Sequence, residues 1–526
     1  MAENVTDLNA IRQQVDQRKA EEQEKFGGGG GGTDDGLPSS FVRNCLDSNE
    51  LGDGTLYAEL HRGQYLYNQS GDDWLEWTGH HWTLDTRARH ARRDVERVAQ
   101  TYLQEHNRLG DELNHLGHTD EAKSRAAALL KQQSQILKRV SKLRSRPGQG
   151  GCLEYAAICD NPIDVLADEL DNKPTLLACP NGVVDLKSGQ LRDGRPEDYL
   201  HRATAVPYDP DADVKPWEDF LWEVYENEEK IAFLQQLFGY AIMGFDRREE
   251  VLGIFWGAGG NGKGVLFEII KYCMGSLAGV IPADMLLEQS KQRNSSGPTP
   301  EIMGLKGLRI AIGSETGEGG KFSTERVKWL SGGDTLTGRS PHDKHSTEFP
   351  PTHTLFVQTN YLPHVSPTDI GFWRRAILID HPHLFVDKPS APNEKLKNPG
   401  LFQELKAHPS GPLRWMVEGS LAYWQAGGRL VPPDCVRQTT DQYRRDEDTI
   451  QDFIEAECVL GSGYQCGASD LYTRFSEWYE SNVKKKVPSQ QWFGKQLTQR
   501  NFEKFTSNGV KYKGIGLQSN DDRPMF

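Results

Sequence analysis

The chain is 526 residues long, room for about three or four domains at roughly 100–200 residues each, which excludes a peptide or a lone small module. Its composition, 36% hydrophobic and 26% charged with 12 Trp, 17 Tyr and 20 Phe, excludes a disordered or fibrous chain. Sixty-one Lys and Arg against 75 Asp and Glu give a net charge of −14, so any nucleic-acid contact must come from cations gathered on one surface. No run reaches the roughly 18 apolar residues of a membrane span, and the opening MAENVTDLNAIRQQ lacks the apolar core of a secretory signal. The eight cysteines form neither a CxxC pair nor a dense framework. A cytoplasmic protein with free thiols and no membrane partner is expected.

Residues 1–40 read as a flexible segment, a polar start followed by six glycines, Gly27 to Gly32. Residues 41–215 read as a mixed α/β module, in which strand-like pieces such as GQYLYNQ and DWLEWTGHHWTL surround a polar helical stretch from 86 to 146. There Arg89, Arg92, Arg93 and Arg97 fall on one helix face. A solvated face is the ordinary outcome of such a run, with nucleic-acid contact the alternative. Residues 216–440 begin with a helical run from Trp217. Four short apolar runs follow, VLGIFW (251–256), LRIAIG (308–313), HTLFVQTN (353–360) and RAILID (375–380). Buried strands joined by polar crossovers predict a parallel α/β sheet, closed by a helical extension. Residues 441–526 predict a winged helix. Helical patterns at 468–481 and 488–500 precede strand-like pieces at 502–507 and 510–517 about a Ser507-Asn508-Gly509 turn. The second helix carries Gln490, Gln491, Lys495, Gln496 and Arg500, with Lys484 to Lys486 upstream, so Lys495 and Arg500 are the expected DNA contacts. Trp492, Phe493 and Leu497 read as core.

The densest signal is GAGGNGKG between VLGIFW and a helical pattern, which fits the GxxxxGK part of a phosphate-binding loop. Glycines let backbone N–H groups turn around phosphate oxygens, the helix N-terminus adds its dipole, and a lysine neutralises β- and γ-phosphate charge. Gly257, Gly259, Gly260, Asn261, Gly262, Lys263, Gly264 and Val265 are therefore the expected ATP contacts. Gly264 stands where this pattern ends in Ser or Thr, so Mg²⁺ has to lean on water and on carboxylates elsewhere. Glu315, between Ser314 and Thr316 just after LRIAIG, is the expected carboxylate, holding the Mg²⁺ water shell and activating the attacking water. The plain alternative is an exposed loop glutamate. Asn360 ends HTLFVQTN and is expected to sense the γ-phosphate, unless it only turns the chain before Tyr361.

Arg374 and Arg375 adjoin in GFWRR. A guanidinium adds to a site already holding Lys263 only by reaching transition-state charge, usually from a neighbouring subunit. A ring of identical chains is expected, with salt bridging the alternative for one arginine, Arg375. Between the second and third apolar runs, Arg339, His342, Lys344 and His345 crowd a polar tip after a Gly332-Gly333-Asp334 turn. A basic tip of this kind suits phosphate-backbone contact; the alternative is a solvated loop. No Cys or carboxylate with zinc spacing accompanies the two histidines.

Taken together, GDDWLEWTGHHWTLD, LACPNGVVDLKSGQL, FLQQLFGYAIMG, GAGGNGKG, GSETGEGGKFSTERVKWLSGGD, FVQTNYLP and GFWRRAILID, in this order, resemble the superfamily 3 helicases, in the phage/plasmid primase and poxvirus-type primase-helicase branch. The resemblance implies a P-loop, AAA+-like ATPase domain between the N-terminal module and the winged helix. It makes Lys263 the Walker A lysine, Glu315 the Walker B acid, Asn360 the motif C sensor and Arg374 or Arg375 the finger acting in trans. It gives Lys328 and the hairpin to about His345 the part that moves with nucleotide state and grips single-stranded DNA. It further implies a hexameric ring translocating 3′ to 5′ at forked DNA of a phage, plasmid or integrated element, in a bacterial host cytoplasm. With about 40 residues ahead of the resembling region, primer synthesis is expected from a separate primase or polymerase. Two other readings stay open: a DNA-binding initiator or scaffold ring that uses ATP only to assemble, and, more distantly, a metabolic P-loop kinase.

Overall fold

The computed structural model describes residues 36–166, 168–244, 249–289, 297–313, 317–341, 345–483 and 487–518. The Gly27 to Gly32 linker, Ser314 to Thr316 with Glu315, His342, Lys344 and Lys484 to Lys486 lie outside them. The chain divides into two compact units, one running to Asp185 with Gln190–Tyr208, the other made of Leu186–Gly189 and the residues from Asp209 onward.

The first unit is built on helices. Asn49–His61, Arg89–Asn114, Asp120–Leu143 and Arg146–Ala156 enclose a core that includes Leu56, Tyr57, Val95, Tyr102, Leu109, Ile136, Val140 and Leu153. Local chemistry sets the helix starts. The Thr119 hydroxyl accepts from the Ala122 N–H, with Asp120 and Glu121 in the first turn favouring the positive end of the dipole. Strands β1 (Tyr65–Asn68), β2 (Asp73–Trp77), β3 (Trp82–Leu84) and β4 (Asp164–Val165) form a sheet in the order β3-β2-β1-β4. Strands β5 (Leu176–Cys179), β6 (Gly182–Asp185) and β7 (Gln190–Arg192) form an antiparallel meander. Of the arginines on the Arg89–Asn114 helix, Arg89, Arg93 and Arg97 are exposed, and Arg93 bonds Asp94 at 2.8 Å.

The second unit holds a five-stranded sheet of β8 (Leu252–Trp256), β9 (Ala278–Ile281), β10 (Ile310–Gly313), β13 (Thr354–Thr359) and β14 (Ala376–Asp380), in the order β14-β8-β13-β10-β9. Every neighbouring pair is parallel. Numbered by appearance within the sheet the order is 5-1-4-3-2. The four apolar runs became β8, β10, β13 and β14; β9, at the sheet's edge, was not anticipated. One face is covered by helices Glu228–Ala241 and Ser410–Gln425, whose backbones meet at two glycines. A Cβ on Gly239 would fall 2.1 Å from the Gly419 carbonyl carbon, so this close crossing depends on the missing side chain. Phe238, Phe255, Phe267 and Phe356 interlock beneath these helices, Phe255 meeting Phe267 edge-on at 4.8 Å.

An antiparallel hairpin, β11 (Leu336–Gly338) with β12 (Thr347–Phe349), is inserted between β10 and β13. A parallel pair, β15 (Leu384–Val386) with β16 (Glu394–Leu396), follows β14. Helix Asp434–Asp446 leads to the C-terminal module: helix Thr449–Glu457, β17 (Cys458–Gly467), helices Ala468–Asn482 and Gln490–Gln499, then β18 (Lys504–Thr506) and β19 (Val510–Leu517). Its sheet runs β17-β19-β18, and its core stacks Phe475 on Phe493 at 4.5 Å. Strand β17 was not anticipated. Phe493 and Leu497 are buried as expected, whereas Trp492 is 37% exposed. Among the described residues no helix is long and apolar enough to cross a membrane, and all eight cysteines are free.

Candidate functional site

Strand β8 delivers the glycine-rich loop to the C-terminal edge of the parallel sheet. Gly262 caps helix Lys263–Met274 at φ +89, and a Cβ there would lie 2.8 Å from Val224 Cγ2. No side chain fits that backbone or that space. The loop is braced from outside: Gly257 N–H donates to the Thr359 carbonyl at 3.3 Å, and Phe385 N–H donates to the Gly260 carbonyl at 2.8 Å. Ala258, Gly259, Gly260 and Gly264 are exposed, and Val265 is half-buried.

Lys263 is 6% exposed, and its ammonium is ringed by oxygens. It donates to the carbonyls of Gly257 at 2.5 Å and Ala258 at 3.2 Å, and to Oδ1 of Asn261 and of Asn360, each at 3.1 Å. The fold thus brings the lysine following β8 onto the asparagine that follows the adjacent strand β13. The buried Asn261 Nδ2 has no partner, an amide donor held inside the loop. Behind the loop, His381 is buried with its Nε2 2.9 Å from the Tyr225 hydroxyl. Burial, and then the nearby Lys263 charge, push its pKa down to about 3, so this ring stays neutral next to the lysine.

Strand β10 runs beside β13, Gly313 opposite Val357, and Glu315 follows two residues later, outside the described residues. Gly264 has open space where a Cβ would be and no side-chain oxygen to offer a metal. Among the described residues no group of three or more His, Cys, Asp or Glu is gathered to hold a metal ion.

The two arginines sit at the other edge of the sheet. Ala376, directly after Arg375, pairs with Leu252 at the start of β8, whereas the loop leaves β8 after Trp256, opposite Asp380. Five strand residues, about 16 Å, separate them. Arg375 has a side chain 7% exposed and donates to Glu250 at 2.7 Å and to the Gly371 carbonyl at 2.6 Å. Arg374 is 58% exposed and bonds the same Glu250 oxygen at 2.5 Å. Both line a cleft of about 600 Å³ with Arg437 and Asp441.

The residues expected to meet DNA separate into those with open charge and those already committed. Lys328 bonds both oxygens of Asp369, at 2.7 and 2.9 Å, which occupies its charge beside helix Ile370–Trp373. Arg339 is half-buried at the end of β11, its N–H donating to Thr299 Oγ1 at 3.0 Å, and His345 is exposed. Arg500, only 13% exposed, pairs with Asp448 and donates to Gln496 Oε1 at 3.1 Å. The sequence pattern set it on the DNA face; the fold ties it to a junction. Lys495 is exposed, and with Gln490, Gln491, Thr498 and Lys504 it lines a cleft of about 510 Å³. Thr498 was missed although Gln491, Lys495 and Thr498 share an i, i+4, i+7 stripe. Lys504 joins only because β18 folds back.

Residues 54–226 match the family described as D5 N terminal like. A candidate helicase of Acanthamoeba polyphaga mimivirus is 30% identical over 67% of this chain and 38% of its own length. A candidate primase of African swine fever virus is 26% identical over 60% of this chain and 34% of its own. A candidate helicase of Invertebrate iridescent virus 3 is 23% identical over 82% of this chain and 50% of its own. The chain therefore spans half or less of the length of these relatives. The solved NrS-1 C-terminal region aligns over 59% of this chain and 78% of its own, at 12% identity and a TM-score of 0.37, too distant to carry an argument. A D5 N-terminal-like region and similarity to viral proteins that carry helicase or primase names together point to a D5-type primase-helicase family as the one this chain resembles.

Proposed function

We propose that the chain is the motor of a DNA primase-helicase. It hydrolyses ATP at the Gly257–Gly264 loop and translocates on single-stranded DNA as a homo-oligomeric ring, hexameric by family resemblance. One observation carries this reading. Lys263 and Asn360, from the ends of two adjacent parallel strands, meet at 3.1 Å on the sheet edge where α/β proteins bind their ligands. A triphosphate entering the loop takes the place of the oxygens around Lys263, and the Asn261 amide is a ready donor to it. Asn360, released from the lysine, is then free to orient water against the γ-phosphate. Mg²⁺, when bound, would supply charge neutralisation, and Glu315 is the residue that would hold its water shell. The exposed Arg374, too far from its own loop, suits the nucleotide of a neighbouring copy, while Arg375 anchors Glu250. Lys495 and Lys504 offer cations to forked DNA. The helicase and primase names of the viral relatives support DNA replication as the setting.

Gly264 favours a second reading, a ring that binds ATP to assemble on DNA without unwinding it, since the loop lacks the hydroxyl that usually holds the metal. Strand displacement on a forked duplex separates the two. The motor reading expects unwinding by wild type and none by Lys263→Ala or Glu315→Gln. Wild type no better than the variants would leave only the scaffold.

A further inference from the structure

The segment between Asn360 and Arg374 leads from the asparagine at Lys263 to the arginine pair. Its contacts come from several directions. His364 N–H donates to the Gly320 carbonyl at 2.8 Å and its carbonyl accepts from Phe322 N–H at 2.9 Å, tying it to the strand-like piece a few residues beyond Glu315. Asp369 holds Lys328, on the helix that precedes the hairpin. The end of helix Asp434–Asp446 grips the same segment three times. The Tyr443 hydroxyl donates to the Pro363 carbonyl, Arg444 Nε donates to the Pro367 carbonyl at 2.8 Å, and Glu447 accepts from Val365 N–H at 3.1 Å. His364 Nδ1 lies 3.1 Å from each Glu447 oxygen.

The residue after Glu447 faces the other way. Asp448 caps helix Thr449–Glu457 by accepting from Gln451 N–H at 3.0 Å, and it pairs with Arg500 at the end of helix Gln490–Gln499. A direct link runs alongside, Thr368 Oγ1 donating to Gln499 Oε1 at 3.1 Å. Two adjacent carboxylates thus join the loop that starts at Asn360 to the helix whose exposed face carries Lys495. Both carboxylates are largely covered, 15% exposed for Glu447 and 22% for Asp448, so a shift of that helix acts on them as well as on the Thr368–Gln499 link.

Resting on the ATPase reading above, we propose that Glu447 is a positioning residue. It sets the 361–369 segment, and through it Asn360, according to whether the C-terminal module has engaged DNA, so that DNA on the Lys495 face speeds hydrolysis. The contacts run without a gap from Lys495's helix through Asp448 and Glu447 to the segment that begins at Asn360, a route by which such coupling can travel.

The test uses the full chain as wild type, Glu447→Ala, Glu447→Gln and Gln499→Ala. ATPase kinetics are measured with and without an oligothymidylate, alongside DNA affinity by fluorescence anisotropy and a thermal melt. Glu447→Ala is expected to cut the DNA-stimulated rise in kcat by about five-fold or more while KM for ATP and DNA affinity stay within about two-fold of wild type. Glu447→Gln, which keeps an acceptor for Val365 N–H, falls between. Gln499→Ala, exposed on the helix end, lowers stimulation with basal hydrolysis unchanged, and carries the test if Glu447→Ala melts early. Full stimulation in the folded variants, or a loss that merely follows weaker DNA binding, overturns the proposal. A wild type without ATPase overturns the parent reading and this one together, whereas a stimulated wild type matched by its variants overturns this one alone.

Discussion

Gly264 is exposed, in a helical turn, with nothing within 4 Å of the position a Cβ would take. The hydroxyl missing from the loop is therefore missing by choice of residue rather than for lack of room. Gly264→Ser costs no strain and removes a glycine from a helix, worth roughly 0.5 kcal/mol of stability. If the chain hydrolyses ATP, the serine is expected to lower the Mg²⁺ concentration giving half-maximal rate by several-fold. A metal titration of the ATPase reads this, and an unchanged midpoint would mean that the metal never approaches this turn. The loop itself was plain in the sequence because its chemistry lies in residue types at fixed spacing. The role of Arg500 was not, since a helical pattern shows which face a residue occupies but not that Asp448 waits there from another helix.

At the scale of elements, the apolar runs marked four of the five central strands because burial on both faces leaves no alternation to mistake. Strand β9 escaped: it is four residues long, at the sheet's edge, with Val280 55% exposed, so it lacks the continuous apolar character of the others. Strand β17 escaped for a related reason, carrying exposed Leu460 and Tyr464 on a stretch broken between Leu460 and Gln465. The last two helices and the β18–β19 turn were legible, the turn because Asn508 and Gly509 take φ of +49 and +109, a conformation that Asn and Gly favour. For the C-terminal module the contrast between open and committed cations is directly measurable. Lys495→Ala is expected to weaken DNA binding and flatten its salt dependence by about one unit of slope. Arg500→Ala is expected instead to lower thermal stability by about 1–3 kcal/mol, because Asp448 is left without its partner. Equal effects of the two on DNA binding at unchanged stability would return Arg500 to the DNA face.

For the molecule as a whole, the sheet places the exposed Arg374 and the nucleotide loop at opposite edges, so one copy does not hold a complete site on the proposed mechanism. Lys263→Ala subunits still offer an intact Arg374, and Arg374→Ala subunits an intact loop. Mixing the two is expected to restore part of the hydrolysis that each lacks alone. Stable mixed assemblies without any recovery would mean that no arginine crosses between copies. What no linear pattern displays is which strand ends become neighbours, and the meeting of Lys263 with Asn360, 97 residues apart along the chain, is a product of that strand order.

The oxygen cage around Lys263 means that an unliganded copy is not a bare cation awaiting an anion. Three backbone or side-chain groups of the loop and Asn360, just after β13, already solvate that ammonium as water would. On the proposed reading, nucleotide entry would be an exchange of one coordination shell for another, its heat measuring a difference between two satisfied states rather than the full attraction of lysine for phosphate.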